Sequence, residues 1–321
     1  NNLLKLFIKF NKKEILLIAG KIYDQNNIKI LDKLILPITG FEKNKITNIE
    51  EVIESIKKNI LIIEQKIKFT FKELVIILDN FDISFLNFTG YKKLNGTQIS
   101  KENITYILNS LKSCVDEFEE KKKLLDIFNS KYSLDKKKID NLPIGLFGDF
   151  YSHELSFNLI NKNDYKNLKN IFDKCNLKIS KILLESFVKG SLISEKNPLI
   201  DSFFHIKIDE EVSKIFYIEN DSVKYEQEFN FGTNIILKDI SKITLLKKDT
   251  IEKILEQVSL NSQIPNDELV EKNLFINEEY RKIKKKLIYE IALARVIEIS
   301  EIIFFKNINL KYLIDSPKHI F

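Results

Sequence analysis

Two short polar segments, each closing one apolar stretch and opening the next, carry the side chains best placed for chemistry. The first is Lys9-Phe10-Asn11-Lys12-Lys13-Glu14 and the second is Lys207-Ile208-Asp209-Glu210-Glu211-Val212-Ser213. A turn between strands is a natural place for a phosphate cradle, which needs small residues and inward-facing backbone N–H groups. Bulky side chains occupy both segments instead, and the carboxylates of Asp209, Glu210 and Glu211 would repel a polyphosphate by simple Coulomb forces. Lys9, Lys12 and Lys13 could reach a phosphate as point charges. The plainer readings are a solvated turn, or lysines that neutralise the carboxylates of the second segment. Glu210 and Glu211 are adjacent in a turn, so their side chains diverge, and no nucleophile accompanies them; a catalytic carboxylate pair is not expected.

The remaining reactive residue types are sparse. His153, His205 and His319 are the only histidines, and none has a neighbour at ligand spacing, so no zinc site is expected. His205 lies within an apolar strand-like run and reads as a core residue. Cys114 and Cys175 are isolated thiols without a CxxC pair, expected as small buried hydrophobes in a reducing cytoplasm. No apolar run reaches the ~18 to 20 residues that span a bilayer, which predicts a soluble cytoplasmic protein. The chain contains no Met, at position 1 or elsewhere, and is therefore expected to be trimmed or partial.

Net charge is +5, from 51 Lys and Arg against 46 Asp and Glu, and Arg281 and Arg295 are the only arginines. Lysines interspersed with nearly as many acids make a solvated surface, so nucleic acid is not expected as a partner. The abundance of Lys, Asn and Ile fits the coding bias of an AT-rich genome. With 321 residues, 44% of them hydrophobic, the chain can bury a large core and form two domains around a cleft.

The elements that would position these residues follow from periodicity. Leu3–Phe10, Ile15–Tyr23 and Ile28–Leu36 read as strands of a meander. Ile49–Ile67 repeats Val52, Ile53, Ile56, Ile60 and Ile63 at helical spacing, and Glu73–Leu78 reads as a strand. From Phe85 a separate α+β unit follows, with Ser100 as N-cap of a helix over Lys101–Glu120 and strands over Leu124–Leu134 and Gly148–Ile160. The Asp140–Gly148 turn between those strands holds a Pro and two Gly. A helix around Asp164–Cys175, a strand near Lys178–Leu184 and a small helix through Gly190 come next. The pattern then restarts: strands over Phe203–Ile208, Lys214–Ile218 and Lys224–Phe229, then helical Ile235–Leu245. Lys247–Val258 and Lys282–Phe305 read as further helices. The latter's stripe of Ile283, Leu287, Ile291, Ala294, Ile297 and Ile302 is expected in the core.

Segments through the chain resemble FtsA, the actin-like bacterial cell-division family. They are Ile38-Thr39-Gly40-Phe41, Ile99-Ser100-Lys101-Glu102-Asn103-Ile104, the Asp140–Gly148 turn, Cys175-Asn176-Leu177-Lys178-Ile179, the run from Phe229 to Ile240, and Ala294-Arg295-Val296-Ile297-Glu298-Ile299. Their order is the family's, and the insertion sits where FtsA rather than actin has one. The resemblance implies an α/β fold of actin-like (ribonuclease H-like) type: duplicated βββαβα domains with a small α+β insertion of FtsA type, also called SHS2. The expected parts are a first subdomain over 1–84 and 161–197, the inserted subdomain over 85–160, a second subdomain over 198–243, a small mixed subdomain over 244–305, and an incomplete return over 306–321.

By the same resemblance the family's phosphate loops fall on Lys9, Asn11, Lys12, Lys13 and Glu14, on Lys207, Asp209, Glu210, Glu211 and Ser213, and on Gly232 and Thr233. The magnesium carboxylate and the glycines of the first two loops are replaced while Gly232 survives, so a degenerate pocket without ATPase activity is expected; ATP and magnesium enter through family resemblance alone. The implied partners are the FtsZ C-terminal tail, docking near Lys242–Glu301, further copies of the chain in a filament, and other division proteins through the inserted subdomain, whose approach carries Phe81, Phe85, Phe88 and Tyr91. The family's membrane contact uses a C-terminal segment that this sequence does not include, and implies a place at the inner face of the membrane. Two rivals share the architecture: an actin-like pilus-assembly protein, and an actin-type ATPase or sugar-kinase-like enzyme.

Overall fold

The structure, a computed structural model, describes residues 3–11, 14–24, 27–42, 45–79, 81–257, 264–313 and 319–321. The chain divides into two compact units, Asn1–Asp201 with Ile218–Tyr225, and Ser202–Tyr217 with Glu226–Phe321.

The first unit opens with β1 (Leu3–Phe10), β2 (Glu14–Asp24) and β3 (Asn27–Pro37), which form an antiparallel meander. Period-two alternation turns Leu6, Ile8 and Phe10 of β1 and Ile15, Leu17 and Ala19 of β2 to one buried face. The two-residue strands β4 (Phe41–Glu42) and β5 (Lys45–Ile46) lead into α1 (Ile49–Ile67). Asn48 caps α1 by accepting the Glu51 N–H, and Val52, Ile53, Ile56, Ile60 and Ile63 make its buried stripe. Burial of each such side chain contributes about 1.5–3 kcal/mol. Strand β6 (Glu73–Leu78) follows.

The insertion comprises β7 (Ile83–Lys93), α2 (Lys101–Phe118), β8 (Lys122–Leu134), β9 (Lys137–Ile139) and β10 (Phe150–Asn161). Ser100 and Asn103 cap α2 reciprocally. The sheet order is β7-β10-β8-β9, antiparallel throughout. Its core joins Ile107, Leu111 and Val115 of α2 to Tyr151, Leu155, Phe157 and Leu159 of β10. Gly90 is required under α2, since a Cβ there would lie 2.3 Å from Ile107. Lys224, almost fully buried, donates to Glu154 and Ser156, each at 2.7 Å, and to Ser130.

The chain returns through α3 (Lys162–Lys174), β11 (Lys178–Leu184) and α4 (Glu185–Lys196), completing a five-stranded sheet of order β11-β6-β1-β2-β3. Next in sequence, β12 (Ser202–Ile208), β13 (Ser213–Glu219) and β14 (Ser222–Phe229) precede α5 (Asn234–Thr244), α6 (Lys248–Glu256) and α7 (Lys285–Ser300), and β15 (His319–Ile320) pairs with β12; of these, the stretch Ile218–Tyr225 belongs to the first unit and the rest to the second. Three strands and a helix thus occur twice in sequence order.

Two expectations fail in whole or in part. The proposed inward stripe of α7 holds only in part: Ile283 and Ile291 pack against the core, but Leu287, Ala294, Ile297 and Ile302 are exposed, whereas Ile288, Ala292, Ile299 and Ile303 are buried. Apolar residues lie on nearly every side of this helix, and the π-helical turn Glu301–Phe305 at its end adds a residue to the repeat, so spacing alone does not select the face. Cys114 is exposed on α2 rather than buried, because Ile107, Leu111 and Val115 define the inward side of that helix. Cys175 is partly buried, and burial pushes its thiol up to about 11.

Candidate functional site

Inward alternation of Leu6, Ile8 and Phe10 leaves Lys9 on the opposite face of β1. Strands β1, β6 and β11 run parallel, with Phe10 level with Leu78 and Leu78 level with Leu184. The carboxyl ends of such strands are where α/β folds place ligands. Glu185, the residue after β11, is delivered there as the first residue of α4. It is paired with Lys9, and Lys189, one helical turn further on, lies 3.4 Å from it. The Glu185 side chain is only 8% exposed, so its carboxylate is largely withdrawn from water, while Lys9 and Lys189 stay partly exposed. Sequence reasoning selected Lys9 but missed Glu185; the available signal was its place immediately after the third parallel strand.

Asn11 and Glu14 close the first turn. The Asn11 N–H donates to the Glu14 carbonyl at 3.0 Å, and the Asn11 side-chain amide reaches the Glu14 carboxylate at 3.5 Å. That N–H is therefore directed back into the turn rather than toward a ligand. Phe10 packs against Phe41, Phe81 and Phe172, with ring centroids at 5.7, 6.1 and 6.3 Å. Lys12 and Lys13 lie outside the described residues.

In the second unit, the turn from β12 to β13 closes through the Asp209 N–H and the Val212 carbonyl at 2.9 Å. Lys207 lies 3.4 Å from Asp209, and Glu211 accepts from the side chain of Asn234. Gly232 packs directly against this turn: a Cβ on it would fall 2.1 Å from the Asp209 carbonyl oxygen. The Thr233 and Asn234 N–H groups donate to the carbonyls of Asp209 and Glu210, each at 2.9 Å. These are donors at the start of α5, the positions that would otherwise attract an anion. Ser213, fully buried, donates its hydroxyl to the Phe231 carbonyl at 2.8 Å. Beside it, burial opposes the charge on Lys214, but Glu226 at 2.5 Å and Glu228 at 3.3 Å outweigh burial and hold its pKa above the ordinary lysine value.

These residues do not fit a magnesium–triphosphate. The first loop presents a lysine already paired with a carboxylate, and the second presents carboxylates while its helix-start donors are satisfied by its own backbone. Among the described residues, no group of three or more His, Cys, Asp and Glu side chains could hold a metal ion.

A groove of about 740 Å³ opens in the second unit between the end of α5 and the start of α7. Ile243, Ile283 and Leu287 give it an apolar lining, with Lys282, Lys284 and Lys286 around them. Arg281 fastens this segment to α5 by donating to the Thr244 and Leu245 carbonyls at 3.2 and 2.7 Å. Lys284 pairs with Asp267 at 2.9 Å. Glu290 also lines the groove, with Lys286 3.9 Å from it, so three lysines face one carboxylate there.

No family model matches the chain. It is 22% identical over 288 residues to the cell division protein FtsA of Buchnera aphidicola subsp. Schizaphis graminum, covering 89% of this chain and 68% of that protein. To the FtsA of Buchnera aphidicola subsp. Acyrthosiphon pisum it is 21% identical over 248 residues, covering 77% and 59% of the two chains. Among solved structures, the PilM–PilN type IV pilus biogenesis complex contains a chain that superposes with a TM-score of 0.60 over 100% of this chain and 81% of that one, at 8% identity. That likeness speaks to the fold alone. The duplicated strand–helix order, the inserted four-stranded unit and the similarity along most of the sequence agree: the chain is a divergent FtsA-like protein of the actin fold.

Proposed function

We propose that this chain serves bacterial cell division as a binding scaffold and does not turn over ATP. The observation that carries this reading is the Lys9–Glu185 pair at the level ends of the three parallel strands. A cation fixed there opposes magnesium, and its partner carboxylate is already engaged. The second loop supports the same reading, since its Asp209 and Glu210 carbonyls take N–H groups at the start of α5.

Its activity is then interaction. The FtsZ C-terminal tail docks in the groove of Lys282, Lys284 and Lys286, copies of the chain associate into an actin-like filament, and the inserted module recruits later division proteins. This places the protein at the cytoplasmic face of the membrane at the division site. The pilus-assembly alternative rests on a shared fold, whereas the sequence similarity over most of the chain is to cell-division proteins.

Calorimetry of the purified chain with ATP or ADP and magnesium tests the first part. No heat of binding is expected, and micromolar binding would overturn the degenerate-pocket reading. An FtsZ tail peptide in the same instrument is expected to bind, and to weaken when Lys282, Lys284 and Lys286 are changed to Glu. An unchanged affinity would remove the groove from the proposal.

A further inference from the structure

One end of the inserted module exposes an apolar tip that the adaptor reading does not use. The segment leading into β10 carries Leu142, Ile144, Leu146 and Phe147, all exposed, and Phe150 and Tyr91 extend the cluster with ring centroids 5.5 Å apart. This segment is firmly built. The Ile99 N–H donates to the Leu146 carbonyl and the Gly145 N–H to the Ile99 carbonyl, both at 2.9 Å, while Gln98 and Phe147 form a β-bridge. Leu146 is 50% and Phe147 69% exposed. Consecutive residues of an extended segment point to opposite sides, so exposure of both means that the segment projects with neither side covered. A Cβ placed on Gly145, at φ +87°, would meet nothing within 4 Å. The feature is convex, unlike the concave sites that hold small ligands.

Lysines ring this tip. In the sheet register Phe150 stands opposite Lys93, and Lys137 opposite Leu134. Lys136, Lys137 and Lys138 form the adjoining turn and the start of β9, and all three are exposed along with Lys93. Three exposed aspartates share this rim, Asp140, Asp149 and Asp135, whose carboxylate accepts the N–H groups of Asp149 and Phe150 at 2.9 and 2.8 Å, so Lys93 and Lys136–Lys138 outnumber the acids by one. An apolar wedge with aromatic residues, surrounded by long cationic side chains, matches the boundary between anionic headgroups and acyl chains.

We propose that this tip is a membrane-contact site for anionic phospholipid, separate from any anchor supplied by a C-terminal segment. Leu146 and Phe147 enter the interfacial layer, and Lys93 and Lys136–Lys138 lie against the phosphates. The contact adds a second point of attachment, which matters because a single weak membrane signal gives only marginal, reversible binding.

The test is flotation of the whole chain with vesicles of phosphatidylglycerol and phosphatidylcholine, against vesicles of phosphatidylcholine alone. The chain is expected to float with the anionic vesicles and to be released in part by salt. The variant carrying Leu146→Gln and Phe147→Gln is expected to lose about tenfold in partitioning, as is one with Lys136, Lys137 and Lys138 changed to Glu. Both alter exposed side chains, and circular dichroism confirms that they fold. Failure of the parent chain to float, or flotation unaffected by either variant, overturns the proposal. So does a Leu146→Gln, Phe147→Gln variant whose only defect is lost self-association in analytical ultracentrifugation, since the tip would then be a contact between copies.

Discussion

His153 makes the inserted module sensitive to acid. The side chain is 1% exposed, facing the same core as Tyr151, and its Nε2 lies 3.0 Å from the Asn129 side-chain oxygen. Its Nδ1 is buried with no hydrogen-bond partner among the described residues. Burial pushes its pKa down from 6.5 to about 4. The unfolded chain therefore takes up a proton on falling through pH 6.5, while the folded chain resists until about pH 4. Stability is lost across that window as pH falls, with no further loss from this group below it. At about 1.4 kcal/mol for each pH unit, the full effect is roughly 3 kcal/mol, of which about 2 kcal/mol falls between pH 7 and pH 5. Urea unfolding of the whole chain at a series of pH values reads the slope. His153→Gln keeps a donor toward Asn129 without titrating, so this part of the slope is expected to vanish in the variant. An identical slope in both proteins, or an imidazole resonance of His153 titrating near 6.5, would refute the reasoning.

Three further substitutions probe the site and its supports. Gly232→Ala places a methyl group 2.1 Å from the Asp209 carbonyl oxygen; the backbone must move, and a loss of about 1–3 kcal/mol is expected in thermal unfolding. Lys9→Ala leaves Glu185 largely buried with Lys189 as its remaining ion-pair partner among the described residues. A loss of about 1–3 kcal/mol is expected, and combining it with Glu185→Gln should restore part of that loss; strict additivity in the double-mutant cycle would show that the pair is uncoupled. Lys224→Met removes the ammonium that bonds Glu154, Ser130 and Ser156. Burial lowers the pKa of this lysine, with Glu154 opposing the shift, and stranding the partly buried Glu154 is expected to cost about 2–4 kcal/mol. Hydrogen exchange in β8 and β10 should rise accordingly, and unchanged protection would remove Lys224 as a support of the module.

Much of the architecture is encoded locally. Alternating apolar residues in the opening meander, the 3.6-residue repeat of Ile49–Ile67, and the Ser100 cap depend on contacts within one element or one turn, and each element appears where the residues place it. The bulk and charge of the phosphate-loop segments are likewise read from side-chain type, because neither needs tertiary context. The Lys9–Glu185 pair is not, since it joins residues 176 positions apart. It exists because three parallel strands end level, a fact of register that no local pattern reports. The inward face of α7 was likewise settled by packing, as apolar residues surround that helix. The exposed tip at Leu146 and Phe147 reads in sequence as an ordinary turn with Pro and Gly. Only the tertiary structure decides that its apolar side chains remain uncovered, because exposure depends on what the rest of the chain fails to bring near them.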